Sequence, residues 1–167
     1  MIATYDLSGM EVAELLALYR SILAELQSRG VIRTDNAPAG DYAEYLVAIA
    51  FKGELASSAA EKGWDVKADG TRLQVKARVV SDPARRGQRQ LSPFRSFDFD
   101  EAVIVLFSDK DYSVSRAVRL PRAVVEELSV DNAHVNGRIL HATDEVLDHV
   151  RAIDVTNQLR HGKVSGR

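Results

Sequence analysis

Apolar residues recur at three- and four-residue spacing through Val12, Leu15, Leu16, Tyr19, Ile22, Leu23 and Leu26, the period of a helix with one apolar face. Ser8 and Glu11 have capping-box spacing, and Gly30 stands where a left-handed C-terminal residue belongs. The pattern therefore predicts a helix over about Gly9 to Arg29. After a loop from Val31 to Gly40, a second apolar helix is expected from Asp41 to Phe51, closed by Gly53, with Glu44 as its only interior charge. A link through Ser57, Ser58 and Gly63 leads to a change of period. Leu73, Val75, Ala77 and Val79 alternate with Arg72, Gln74, Lys76 and Arg78, as in a strand with one apolar and one polar side. Asp69-Gly70 just before it suits a two-residue type I′ turn, so Trp64 to Lys67 becomes the other arm of a hairpin. That turn sets a register pairing Ala68 with Thr71, Lys67 with Arg72, Val66 with Leu73 and Asp65 with Gln74, and it gathers Asp65, Gln74 and Lys76 on one polar surface.

Ser81 to Ser96 has no period and reads as a loop. Ala102 to Phe107 is a continuous apolar run, as in a strand buried on both sides. Ser113 to Leu120 reads as another strand, and Pro121 as the first residue of a helix through Leu128. A small hairpin is expected from His134 to His141 around Asn136-Gly137, then a helix from Asp144 to Val150 capped by Thr143, and a frayed tail from His161. These elements predict an α/β domain over residues 1–160, with a central mixed sheet of four or five strands flanked by helices and an added N-terminal helix. Its core is expected over about 33–128 and its C-terminal hairpin and helix over about 132–160.

Composition narrows the chemistry. The 167 residues contain no cysteine, which excludes disulfides, thiolate metal sites and cysteine nucleophiles. No apolar run has the ~18 residues of a membrane span, and no leader pattern follows Met1; the expected location is the cytoplasm. Net charge is −2, so a polyanion would have to bind a local patch. One exists. Between positions 72 and 95 stand Arg72, Lys76, Arg78, Arg85, Arg86, Arg89 and Arg95 against Asp82 alone. With Gln88 and Gln90, these guanidinium forks and amides suit phosphate oxygens or base edges. A solubilising loop is the plainer alternative. The four histidines, His134, His141, His149 and His161, lack ligand spacing.

The most informative constellation is Asp65 opposite Gln74-Val75-Lys76. A hard cation such as Mg²⁺ needs converging oxygens, which Asp65, the Gln74 side chain and the Val75 carbonyl can offer. Phosphodiester hydrolysis also needs a cation beside the attacking water and the developing charge, a role open to Lys76. Glu44 has two readings, a further acid for this site or the reciprocal partner of an Asp41 helix cap. Lys76 and Arg78 also fit the solvated side of an edge strand.

The order of Glu44 on a helix, Asp65 on a strand and Gln74-Val75-Lys76 on the paired strand resembles the PD-(D/E)XK nuclease superfamily, of restriction-endonuclease-like fold. The runs Gly40-Asp41-Tyr42-Ala43-Glu44, Gly63-Trp64-Asp65, Gln74-Val75-Lys76 and Gln88-Arg89-Gln90-Leu91-Ser92 are similar to those of a group of bacterial domains of that fold. The similarity spans roughly Arg33 to Leu128. The resemblance implies a Mg²⁺- or Mn²⁺-dependent endonuclease acting on DNA, with Asp65 as metal-binding acid, Lys76 as catalytic lysine and Glu44 as a helix-borne acid. Gln74 stands where the motif has Asp or Glu, and Trp64 where it has Pro. A catalytically inactive nucleic-acid-binding module on the same fold is the second expectation. The third is an assembly domain, with the first helix pairing with a partner or in a homodimer.

Overall fold

A computed structural model describes residues 4–33, 37–57 and 63–161. It is an α/β arrangement in which a six-stranded sheet carries helices on both sides. Helices α1 (Val12–Ser28) and α2 (Ala39–Ala50) precede strands β1 (Glu54–Leu55), β2 (Val66–Ala68), β3 (Thr71–Val80), β4 (Glu101–Ser108) and β5 (Val114–Pro121). Helix α3 (Arg122–Leu128), a small β6 (Val130–Asn132) and β7 (Gly137–Ile139) ribbon, α4 (Asp144–Leu147), β8 (Ile153–Asp154) and α5 (Thr156–His161) complete the chain. The main sheet runs β1-β2-β3-β4-β5-β8. Only β3 and β4 are parallel; the other neighbours are antiparallel. The sheet is therefore mixed as expected, but has six strands instead of four or five. The two additional ones, β1 and β8, are two residues each, too short to leave a hydrophobic period.

The β2–β3 hairpin has the expected register, with Val66 on Leu73, Lys67 on Arg72 and Ala68 on Thr71. Asp69 and Gly70 both have positive φ, at 48° and 76°, which is the type I′ turn whose twist matches the flanking strands. Alternation along β3 divides the core. Leu73 and Val75 pack with Ala43, Leu46 and Val47 of α2 and with Val103, Val105 and Phe107 of β4. On the other side of the sheet, Ile104 and Leu120 pack with Leu91, Phe94 and Phe99 and with Val124 and Val125 of α3. Strand β4 contributes to both cores and is buried along its interior. Among the described residues, no helix is long and apolar enough to cross a membrane.

Several boundaries differ from expectation for local reasons. Helix α1 begins at Val12, and its capping box is formed by Glu11 and Glu14, while Ser8 bonds to Asp6. Gly30 has the expected positive φ of 68°. Lys52, not Gly53, takes the left-handed position after α2, at φ 51°. Gly53 donates its N–H back to Ala48 at 2.8 Å. It is glycine because a Cβ there would lie 2.7 Å from Val66 Cγ1. Pro121 precedes α3 as its N-cap instead of opening it. The expected hairpin turn at Asn136-Gly137 is a longer connection, in which a 3₁₀ turn over Ala133–Val135 and left-handed Asn136 join β6 to β7. Helix α4 stops at Leu147, and its expected cap Thr143 makes no side-chain capping bond. Sequence periodicity also left out β8 and α5. His161, where the tail is expected to begin to fray, is instead the last residue of α5; Ser58 and residues 162–167 lie outside the described residues.

Candidate active site

Strand β2 pairs with β3 only as far as Val66 and Leu73, so the β3 edge beyond Leu73 opens beside the start of the hairpin. Asp65 fills the first open place. Its N–H donates to the Leu73 carbonyl at 2.8 Å, and its carboxylate Oδ2 accepts from the Val75 N–H and from Gln74 Nε2, each at 2.7 Å. The side chain is nearly fully buried, at 5% exposure. Burial raises the Asp65 carboxyl above the ordinary carboxylate range, opposed by the Val75 N–H and then by Lys76 and Arg33. In an extended strand a residue's N–H and C=O point to the same side, so the Val75 carbonyl also faces the Asp65 edge.

Helix α2 brings Glu44 to this edge from one side of the sheet. It does not cap the helix, whose N-cap is Pro38. Arg33 binds it instead, with Nη2 2.7 Å from Glu44 Oε2, while Arg33 Nη1 donates to the Ala56 carbonyl and its N–H to Asp41. The Glu44 carboxyl is pushed up to about 7, first by burial and then by the Asp65 charge, with Arg33 pulling the other way.

Lys76 projects to the opposite side of β3. Its Nζ donates to the Pro93 carbonyl at 3.1 Å and lies 4.9 Å from the centre of the Phe94 ring. Desolvation lowers its pKa, opposed by Asp65; the nearby Arg95 lowers it further and Glu44 raises it. Two acids held above their usual range and a lysine held below its own therefore flank one break in the sheet, each within Coulombic reach of another. Such opposed shifts at a single place are characteristic of sites that handle protons or cations.

The candidate cation-binding oxygens are the carboxylates of Glu44 and Asp65, the Gln74 side-chain oxygen and the Val75 carbonyl. Among the described residues no group of three or more His, Cys, Asp or Glu side chains is arranged to hold a metal. Mg²⁺ does not require one, because it commonly takes one or two carboxylates and completes its octahedron with water and substrate oxygens. Gln74 fits such a set in a particular way. Its amide N–H is committed to Asp65, which leaves its oxygen as the free end of the group.

The basic residues divide by whether the fold uses them. Arg72 is bound to Asp100, its Nη2 at 3.0 Å, and Arg78 donates to the Gln90 carbonyl. Arg89 Nη1 is 2.7 Å from Asp144 and also reaches the Ala142 carbonyl. The Gln88 side chain staples its own loop by accepting from the Ser81 N–H and hydroxyl and from the Arg85 N–H. Arg85 is exposed and only 3.8 Å from Asp109. Arg86, Gln90 and Arg95 are exposed. Among the described residues neither the Arg86 nor the Arg95 guanidinium has a hydrogen-bonding partner.

Sequence reasoning did not single out Arg33, which lies in an aperiodic loop, or Phe94, whose ring supports Lys76. A lone basic residue between two helices leaves no pattern to read. Comparison with protein-family models and with curated proteins finds no match to this chain.

Proposed function

We propose that the chain is a Mg²⁺- or Mn²⁺-dependent phosphodiesterase that cuts DNA, on a fold akin to the PD-(D/E)XK nucleases. The observation that carries this reading is that Glu44, Asp65 and Lys76, each with a shifted pKa, flank the open end of the β2–β3 pairing. Asp65 and Glu44 would hold the cation, with the Gln74 oxygen and Val75 carbonyl as further oxygen donors. A cation held there would supply Lewis acidity at the phosphate and lower the pKa of a water. Gln74 fixes the rotamer of Asp65 through its N–H. Arg33 pairs with Glu44 and keeps the two acids compatible without a cation. Lys76, with Phe94 behind it, presents its ammonium to the charge developing on phosphorus. The exposed Arg86 and Arg95 supply backbone contacts.

The test is incubation of wild type and Lys76→Met with supercoiled, linear and single-stranded DNA in Mg²⁺, Mn²⁺ or EDTA. Metal-dependent cutting that is lost in the variant supports the reading, and wild type that cuts nothing in either metal overturns it. The Gln74–Asp65 bond favours a second reading, a non-catalytic nucleic-acid-binding module, because it satisfies Asp65 without a cation. That reading predicts salt-sensitive binding unaffected by EDTA.

A further inference from the structure

Beyond the Phe94 ring lies a concavity of which the proposed phosphodiesterase reading uses only Phe94 and Arg95. A cavity of about 370 Å³ opens between the chain segment of Phe94, Arg95 and Phe97 and the β6–β7 connection, where Asn132 and Asn136 line it. The two walls are held close together. Phe94 and Arg138 exchange backbone hydrogen bonds, each at 2.9 Å, and a Cβ on Gly137 would lie 2.8 Å from the Phe94 carbonyl oxygen. The Phe97 ring is partly buried, stacked on Phe94 at 6.0 Å between centres. Phe94 is the same ring that carries Lys76 Nζ at 4.9 Å, so the cavity and the candidate active site share a side chain.

Its polar groups are largely unspent. Among the described residues the Arg95 guanidinium and the Asn136 amide have no hydrogen-bonding partner, and Asn132 uses only its Oδ1, on the His134 N–H. Asp131, by contrast, is occupied by Arg138 at 3.0 Å. An aromatic wall, two amides with donors and acceptors to offer, and one free cation form the combination that holds a nucleotide: ring for the base face, amides for its edge, guanidinium for its phosphate. A base inside a duplex has both faces covered by its neighbours. Only an unpaired one can offer a face to Phe97 and an edge to the asparagines.

We infer that this cavity is a subsite for an unpaired nucleobase adjoining the scissile phosphate, so that the substrate class is single-stranded DNA or DNA with an unpaired nucleotide at the cut. The inference rests on the proposed phosphodiesterase reading, which itself requires no such preference. Binding by fluorescence anisotropy in EDTA separates the two. The probes are a fluorescein-labelled mixed-sequence single strand, the same strand with one abasic site moved stepwise along it, and the matching duplex.

Wild type is expected to prefer the single strand and to lose ~10-fold in affinity when the abasic site falls at one particular position. Phe97→Leu, which keeps an apolar side chain against Phe94, and Asn136→Gly, which tolerates the positive φ of 49° there, are expected to abolish that positional loss while changing duplex binding by less than about twofold. A flat abasic scan in wild type, or a positional loss that persists unchanged in Phe97→Leu, overturns the subsite and leaves the phosphodiesterase reading standing. Absence of binding to every probe overturns the subsite together with the nucleic-acid reading beneath it.

Discussion

Two ionic clusters sit on β3, and they are built in opposite ways. At the start of the strand Arg72 and Asp100 meet in the open: Arg72 gives Asp100 its backbone N–H and two guanidinium bonds, at 2.8, 3.2 and 3.0 Å. These hydrogen bonds bring the Asp100 carboxyl down to about 2. A few residues on, Glu44, Asp65 and Lys76 are drawn out of water, and each is moved toward its neutral form by that burial. The first cluster is satisfied by the fold. The second is held at a cost in desolvation, a pattern that functional sites share with some structural ion-pair networks. Removing charge from the two clusters should therefore have different consequences for stability.

The largest separation is expected at Lys76. Its ammonium is desolvated, donates to the Pro93 carbonyl, lies over the Phe94 ring and is opposed in its desolvation by the Asp65 charge. Lys76→Met, which relieves the desolvation and keeps the stem and its packing but withdraws a positive charge from Asp65, should therefore unfold within a few degrees of wild type. If the proposed chemistry holds, the same substitution should reduce DNA cleavage by ~10³-fold. Lower stability without a change in cleavage would place Lys76 in the structural class with Arg72.

Asp65 separates structure from charge. Asp65→Ala strands the Gln74 amide and the Val75 N–H without their acceptor, an expected cost of about 2–4 kcal/mol in chemical denaturation. Asp65→Asn retains an oxygen for both donors and should fold nearly as well, yet lose metal-dependent activity. Equal destabilisation by the two substitutions would show that the negative charge, and not the acceptor oxygen, holds the hairpin start together.

How much of this the sequence displayed depends on the range of the interaction that decides it. The β2–β3 register was legible because a two-residue Asp-Gly turn and a strict period of two leave a single alignment, and Asp65 opposite Gln74 follows from it. Helices α1 and α2 show similar periodicity but have different surroundings. Helix α2 buries Ala43, Leu46 and Val47, whereas Val12, Leu18, Tyr19 and Ile22 of α1 remain exposed and Leu23 is buried. A period identifies an apolar face and not what the face meets. Arg33 was illegible for a related reason, since its bond to Glu44 joins a loop to a helix with no local spacing rule. The arginine-rich loop read as one basic patch, but ion pairs made in three dimensions occupy Arg72 and Arg89 and, among the described residues, leave Arg86 and Arg95 without one. A DNA titration should therefore see Arg86→Ala and Arg95→Ala each flatten the slope of log affinity against log salt by ~1, with Arg89→Ala changing it little.

Glu44 sharpens the contrast through pH. Its carboxyl rises from 4.5 to about 7 on folding, so between those values the folded chain binds more protons than the unfolded one. Stability then falls as pH rises through this window. In metal-free buffer the expected loss is about 1–2 kcal/mol by pH 8, allowing for solvent screening, and Glu44→Gln should remove it from the pH profile of urea unfolding. A wild-type profile that is flat or rising from pH 5 to about 8 would mean that Arg33 compensates Glu44 fully and that the two clusters differ less than their burial suggests.

The smallest effect belongs to the satisfied pair, and its pH dependence has the opposite sign. Asp100 is lowered from 3.8 to about 2 on folding, so the folded state binds fewer protons in that range, and the stabilisation is present above the higher value and lost as pH falls through the lower one. Both partners are well exposed, where screening keeps such pairs weak. Asp100→Asn should therefore lower Tm by no more than a few degrees at neutral pH and flatten only the acid limb of the stability curve. A large loss at pH 7 would mean that the Asp100 bond to the Arg72 N–H anchors the entry of β3 and β4 together, making this cluster as important to the fold as Asp65 is to the hairpin.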